Sequence, residues 1–226
     1  NFNLTMDAGS LASSGAVDVG TGSFAITTND STDGSITFST TLDAGSLTLD
    51  ANGTNTDISI TASATIASGG AVSLTADDTV NFGAAGSITA SGAGNVFLQS
   101  NANSADGDGS DQIIMADGAS IDAGSGTITL TSTGANSGNI TVGELTTTNS
   151  TSSAVILTSD LAIVDAGATG TNIIATTGTV TLTGATGIGS GDAIETNTAV
   201  LVLDSNQSIQ IANSTTNLTD LTLTLD

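Results

Sequence analysis

The chain carries no lysine, arginine or histidine, and it also lacks proline, cysteine, tryptophan and tyrosine. Without a cationic side chain nothing can meet a phosphate, which excludes ionic recognition of DNA, RNA and anionic lipid. Without cysteine there is neither a disulfide framework nor a thiolate metal site. Tryptophan and tyrosine are the usual platforms for stacking a sugar ring, and aromatic residues make up only 2% of the chain. No apolar run is long enough to cross a bilayer, so membrane insertion is not expected. No positively charged leader precedes Asn1, and the pattern is already under way there and at Asp226. The chain therefore reads as a piece of something larger.

What is present points the other way from disorder. The 226 residues are 38% hydrophobic, with a mean hydropathy of +0.26, whereas an acidic disordered tail has too little apolar surface to fold. All 22 charged side chains are carboxylates, giving a net charge of −22. Charges spaced along a rod by more than a Debye length, ~8 Å at physiological salt, hardly repel one another, so an elongated shape suits this composition.

A short alternating phrase recurs along the chain. It opens at Phe2-Asn3-Leu4 and Phe24-Ala25-Ile26, passes through Leu47-Thr48-Leu49, Val72-Ser73-Leu74 and Val96-Phe97-Leu98, and ends at Leu223-Thr224-Leu225. Differences between successive first positions are 22, 23, 25, 24, 32, 27, 25, 21 and 22 residues. About a dozen residues later a second phrase follows, such as Val17/Val19, Ile36/Phe38, Ile58/Ile60, Val80/Phe82 and Ile209/Ile211. A third apolar point appears at Ile66, Ile88, Ile121 and Leu145. Gly, Asn, Asp and Ser fill the gaps and mark corners.

Alternation places Leu47 and Leu49 on one face and Thr48 on the other. Strands of this kind joined by tight corners form one coil, and equivalent strands of successive coils pair in parallel ~4.8 Å apart. The expected fold is all-β: a right-handed parallel β-helix, or β-solenoid, of about ten coils of roughly 20–32 residues, filling 1–226 as a single domain. A β-sandwich would not repeat one phrase at a near-fixed period.

Three phrases, Gly126-Thr127-Ile128-Thr129-Leu130-Thr131, Gly178-Thr179-Val180-Thr181-Leu182-Thr183 and Ser46-Leu47-Thr48-Leu49-Asp50-Ala51, resemble the repeats of filamentous-haemagglutinin-type adhesins. Those are large bacterial surface and secreted β-helix proteins, and the likeness covers nearly the whole chain. It implies a three-faced coil, an extracellular or cell-surface location, and a stalk, filament or adhesive role. The chain departs from an average member in lacking Lys and Arg, which removes ionic contacts to anionic host glycans such as heparin.

Candidate chemistry is sparse. Asp77/Asp78 could supply paired carboxylates for glycoside hydrolysis, yet no Arg or Lys exists to stabilise developing negative charge. An enzyme is not expected. Asp106-Gly107-Asp108-Gly109-Ser110-Asp111-Gln112-Ile113 resembles one unit of the calcium-binding nonapeptide repeat, with Asp106 in place of the first glycine. Asp106, Asp108 and Asp111 are thus the candidate ligands of a hard cation such as calcium, the one cofactor suggested. A solvated Asp/Gly turn accounts for the same residues, because the motif normally works in tandem. The outward positions Asn3, Ala25, Thr48, Ser73, Phe97, Thr129, Ile156, Thr181, Val202 and Thr224 raise an ice- or glycan-binding alternative, although Phe97, Ile156 and Val202 interrupt a threonine rank. The expected partners are a further length of the same chain or a second copy, stacked end to end, and a surface or glycan target.

Overall fold

The computed structural model describes residues 1–30, 34–66, 69–102, 111–167, 170–214 and 218–225. These hold 25 strands and no helix. Every strand pairing is parallel, and each joins one coil to the next, giving a β-solenoid of about nine turns. At ~4.8 Å per turn the rod is about 43 Å long.

Each turn has three faces. The first carries β1 (Phe2–Met6), β4 (Ser23–Asn29), β7 (Ser46–Asn52), β10 (Val72–Ala76), β13 (Val96–Ser100), β16 (Ile128–Ser132) and β19 (Val155–Ser159). It continues through the second halves of β21 (Ile173–Gly184) and β23 (Ile194–Ser205) to β25 (Asp220–Leu225). The second face is built from β2 (Leu11–Ala12), β5 (Ile36–Phe38), β8 (Ile58–Ile60), β11 (Val80–Phe82), β14 (Asp111–Met115), β17 (Ser137–Val142), β20 (Ala162–Asp165) and β22 (Gly187–Ile188). The third comprises β3 (Val17–Asp18), β6 (Leu42–Ala44), β9 (Ser63–Ile66), β12 (Ser87–Ala90), β15 (Ser120–Asp122), β18 (Glu144–Thr146), the first halves of β21 and β23, and β24 (Ile211–Asn213).

Alternation produces the interior as the sequence predicts. In β10, β13, β16 and β19 every second residue is buried, and the side chains between them are half-exposed. Parallel pairing in register stacks like on like: Ile26, Leu49, Leu74, Leu98 and Leu130 form one continuous column. On the second face Ile36, Ile58, Val80, Ile113, Ile140 and Ile163 form another. Three of the five phenylalanines lie in the first two turns, and Phe82 is fully buried in the fourth. Among those three, Phe2 stacks on Phe24 at 5.0 Å and Phe24 meets Phe38 edge-on at 5.6 Å.

Three expectations about the phrases need correcting. Val17 pairs with Leu42 on the third face, whereas Ile36 pairs with Leu11 on the second, so Val17/Val19 is not equivalent to Ile36/Phe38. Ile209 bridges Ile188 on the second face while Ile211 opens β24 on the third. The last phrase is Leu221-Thr222-Leu223, opposite Leu201-Val202-Leu203, two residues earlier than alternation suggested. Only β25 represents a tenth coil.

Corners are closed by side-chain hydroxyls and by glycine. Buried Ser132 Oγ donates to the carbonyls of Asp111 (2.9 Å) and Gly138 (3.1 Å), and Ser205 Oγ donates to Gly184 O at 2.6 Å. These bonds satisfy carbonyls that leave the ladder where the chain turns. Gly94 and Gly126 have a different duty from conformational freedom. A Cβ on Gly94 would run into Gly70 O of the preceding coil, and one on Gly126 into Gly94 O. Glycine here lets adjacent coils approach, which explains why a glycine precedes the strand phrase in Gly126-Thr127-Ile128.

Candidate functional site

Of the three predicted cation ligands, Asp106 and Asp108 lie outside the described residues. Asp111 opens β14 at the corner between the first and second faces and is fully buried. Its N–H donates to Asn136 O (3.2 Å), and its carbonyl accepts Ser132 Oγ and Ser100 Oγ (3.3 Å). Beside it Asn101 adopts the left-handed conformation, φ 55°, that asparagine tolerates. Asn101 Nδ2 donates to Thr133 O at 3.0 Å. Asp77 and Asp78 occupy the same corner one coil earlier. Asp77 Oδ2 accepts the Gly53 N–H at 2.6 Å, and Asp78 Oδ1 accepts Thr79 Oγ1 at 3.0 Å. Each braces a turn, which is the corner-forming role of an Asx side chain. Among the described residues no three carboxylates converge as a metal cage.

A different acidic corner was not foreseen from the sequence. Asp165 ends β20 opposite Val142, in inward phase with Ile163, so a carboxylate stands where aliphatic side chains stand in earlier turns. Asn172, 1% exposed, joins it to the next coil. Its Nδ2 donates to Asp165 Oδ1 (2.7 Å) and lies 3.3 Å from the carbonyls of both Val142 and Gly143. Its Oδ1 accepts the Glu195 N–H at 2.9 Å. Asp165 Oδ2 and Glu195 Oε2 are buried and have no hydrogen-bond partner. Burial pushes the Glu195 carboxyl above its ordinary value; its own backbone hydrogen bond opposes this, and the nearby charges of Asp165 and Asp192 add to the rise. The readable signal was an Asp two residues after an inward Ile.

The first face presents two outward columns. One is the interrupted rank already described, now ending at Thr222. The other runs Thr5, Thr27, Asp50, Thr75, Gln99, Thr131, Thr158, Thr183, Asp204 and Thr224, so seven of its ten positions are threonine. Among the described residues nothing covers the apolar interior at either end. Phe2, Leu4, Leu11, Val17 and Val19 line a hollow of about 230 Å³ at the first coil. At the other end Leu221, Leu223 and Leu225 are 52%, 51% and 60% exposed.

The fold and these surfaces define a parallel β-solenoid. No family model, curated protein or solved structure matches the chain.

Proposed function

We propose that the chain is a structural β-solenoid segment of a cell-surface or secreted protein, a stalk, filament subunit or adhesin shaft without catalytic activity. The observation that carries this reading is an interior of aliphatic side chains stacked in register from coil to coil, exposed at the two end coils of the described residues. An interior of that form extends axially by adding further coils, either more of the same chain or a second copy. Carboxylates discourage side-to-side clumping, while the apolar ends leave axial contact open. The repeat phrases resembling filamentous-haemagglutinin-type adhesins support the extracellular placement. Light scattering and negative-stain imaging at moderate salt test the axial reading: concentration-dependent lengthening supports it, and a monodisperse monomer over a wide concentration range refutes it.

The second outward column favours one alternative, a module that binds ice. Regular threonine hydroxyls and methyls repeat ~4.8 Å apart along the rod, on a face whose two columns carry only Asp50 and Asp204 as charges. Thermal hysteresis measured on the folded chain decides it. A freezing-point depression lost in Thr131→Tyr and Thr158→Tyr supports the module, and colligative behaviour alone rejects it.

A further inference from the structure

Ala51-Asn52-Gly53 enters the corner between the first and second faces in the third turn, and it holds the only Asn-Gly pair of the sequence. Glycine has no side chain to shield its nitrogen, and its backbone turns freely. In an unfolded chain the Gly53 nitrogen therefore has ready access to the side-chain carbonyl carbon of Asn52. The fold leaves no other residue for position 53. Its φ is 137°, and a Cβ there would run into the Asp30 carbonyl oxygen of the preceding coil. Packing between coils thus fixes the labile pair in the sequence.

The same corner holds the two reacting groups apart. Asp77 of the next coil donates its N–H to Ala51 O at 2.9 Å, and its Oδ2 accepts the Gly53 N–H at 2.6 Å. Asn52 is bracketed by two hydrogen bonds to one residue, the second of them to a carboxylate. It is the last residue of β7, paired with Asn29 of the preceding coil, and its Nδ2 donates to Asp50 Oδ2 at 3.1 Å. Ring closure needs rotation about the Asn52 Cα–C bond until Cβ and the Gly53 nitrogen come into line. Extended backbone keeps them well apart around that bond, and the rotation would break the hydrogen bond to Asp77.

We propose that Asn52 is a modification site gated by the fold, protected in the closed coil and deamidated through a cyclic imide when the third and fourth turns separate. The Gly53 nitrogen bonds to Asn52 Cγ, the Cγ–Nδ2 bond breaks, and Nδ2 leaves as ammonia carrying the proton that Gly53 gave up. Water then opens the imide. Attack at Cγ gives aspartate, and attack at the backbone carbonyl carbon of residue 52 gives isoaspartate. Nothing is oxidised or reduced, and water is the only co-reactant. Isoaspartate routes the main chain through the side-chain carbons and lengthens it in a corner whose spacing Asp77 and the Asp30 carbonyl fix. Either product adds a carboxylate to a corner that already holds Asp50 and Asp77, and the chain has no side-chain cation to offset it. The coil then recloses less firmly, so the product records past opening.

Incubation at mildly alkaline pH, folded or in denaturant, followed by Asp-N digestion and mass spectrometry, tests the site. The enzyme cuts before aspartate and releases residues 50–56. Aspartate at position 52 creates a further cut, and isoaspartate is labelled by isoaspartyl methyltransferase. Conversion is expected to be at least about tenfold slower in the folded chain than in denaturant, because it waits on local opening. In denaturant Asn52 should convert well ahead of Asn55 in the same fragment. Asp77→Ala removes the acceptor and should speed conversion in the folded chain severalfold, whereas Asp77→Asn, which keeps an acceptor oxygen, should restore the slow rate. Equal rates in the folded chain and in denaturant overturn the proposal, whether or not the variants fold. So does a denatured chain in which Asn52 converts no faster than Asn55, and so does a folded Asp77→Ala chain that converts at the wild-type rate.

Discussion

Replacing Leu49 by aspartate should unfold the rod around its third turn, whereas the same charge one residue earlier should be tolerated. Leu49 is fully buried in the column between Ile26 and Leu74, and Thr48 is exposed on the opposite face of β7. Truncating a buried leucine to alanine costs about 2–5 kcal/mol, and Leu49→Ala should fall in that range. Leu49→Asp adds an ion buried without a partner, an effective penalty of several kcal/mol, and this chain offers no cation to offset it. The sum is comparable with the whole stability of a typical domain, about 5–15 kcal/mol. Coils interact with their nearest neighbours, so the damage should centre on the second to fourth turns. Acid should partly rescue the variant by protonating the new carboxyl. Thr48→Asp should stay within about 0.5 kcal/mol of wild type, as exposed substitutions usually do. Denaturant unfolding followed by circular dichroism provides the comparison. Equal losses in the two variants, or greater harm from Thr48→Asp, would mean that the strand is turned over by one residue and that the inward columns are wrong.

Other perturbations probe separate parts of the account. Raising salt from about 0.01 M to about 1 M shrinks the Debye length from about 30 Å to about 3 Å, and should raise the unfolding midpoint by screening the net charge of −22; an unchanged midpoint would show that self-repulsion is not felt. Gly94→Ala should cost about 1–3 kcal/mol by overpacking, because its Cβ meets Gly70 O, while the same change at Gly15, which faces open space, should be nearly silent. Trypsin should leave even the unfolded chain intact for want of Lys or Arg. Proteinase K should cut the folded rod slowly, since cleavage needs local opening of stacked coils; rapid digestion at low protease concentration contradicts the packed interior. If Asp111 anchors a calcium loop, calcium raises the midpoint, a chelator reverses the rise and Asp111→Asn abolishes it; an equal rise in Asp111→Asn would assign the effect to diffuse screening.

The first face was legible in the sequence because its strands are five residues or longer, enough for alternation to fix inside from outside. The other two faces were harder to separate. Leu11–Ala12 and Val17–Asp18 are two-residue strands, too short to carry a period, so the sequence alone does not separate Val17 from the column of Ile36. Alternation also repeats every two residues, so Leu221-Thr222-Leu223 and Leu223-Thr224-Leu225 fit equally well until β23 sets the register. The Asp165–Asn172–Glu195 corner spans 30 residues of sequence and meets only through stacking. No local motif announces it, and the one available clue was the inward phase of Asp165. Gly94 and Gly126 looked like turn residues, but their reason is a carbonyl of the preceding coil.

The account rests on parallel stacking of consecutive coils in the stated register, and disulfide trapping tests this most directly, because the chain has no cysteine of its own. Thr48 and Ser73 are paired outward positions on adjacent coils, about 4.8 Å apart, within the Cα separation of about 4.4–6.8 Å that a disulfide accepts. Thr48 and Phe97 are two coils apart, about 9.6 Å by the same spacing. Oxidation should therefore close the bond in the double variant Thr48→Cys with Ser73→Cys, without loss of thermal stability. The pair Thr48→Cys with Phe97→Cys should stay reduced. Efficient bonding of the second pair, or failure of the first in a folded chain, would contradict the stacked coil.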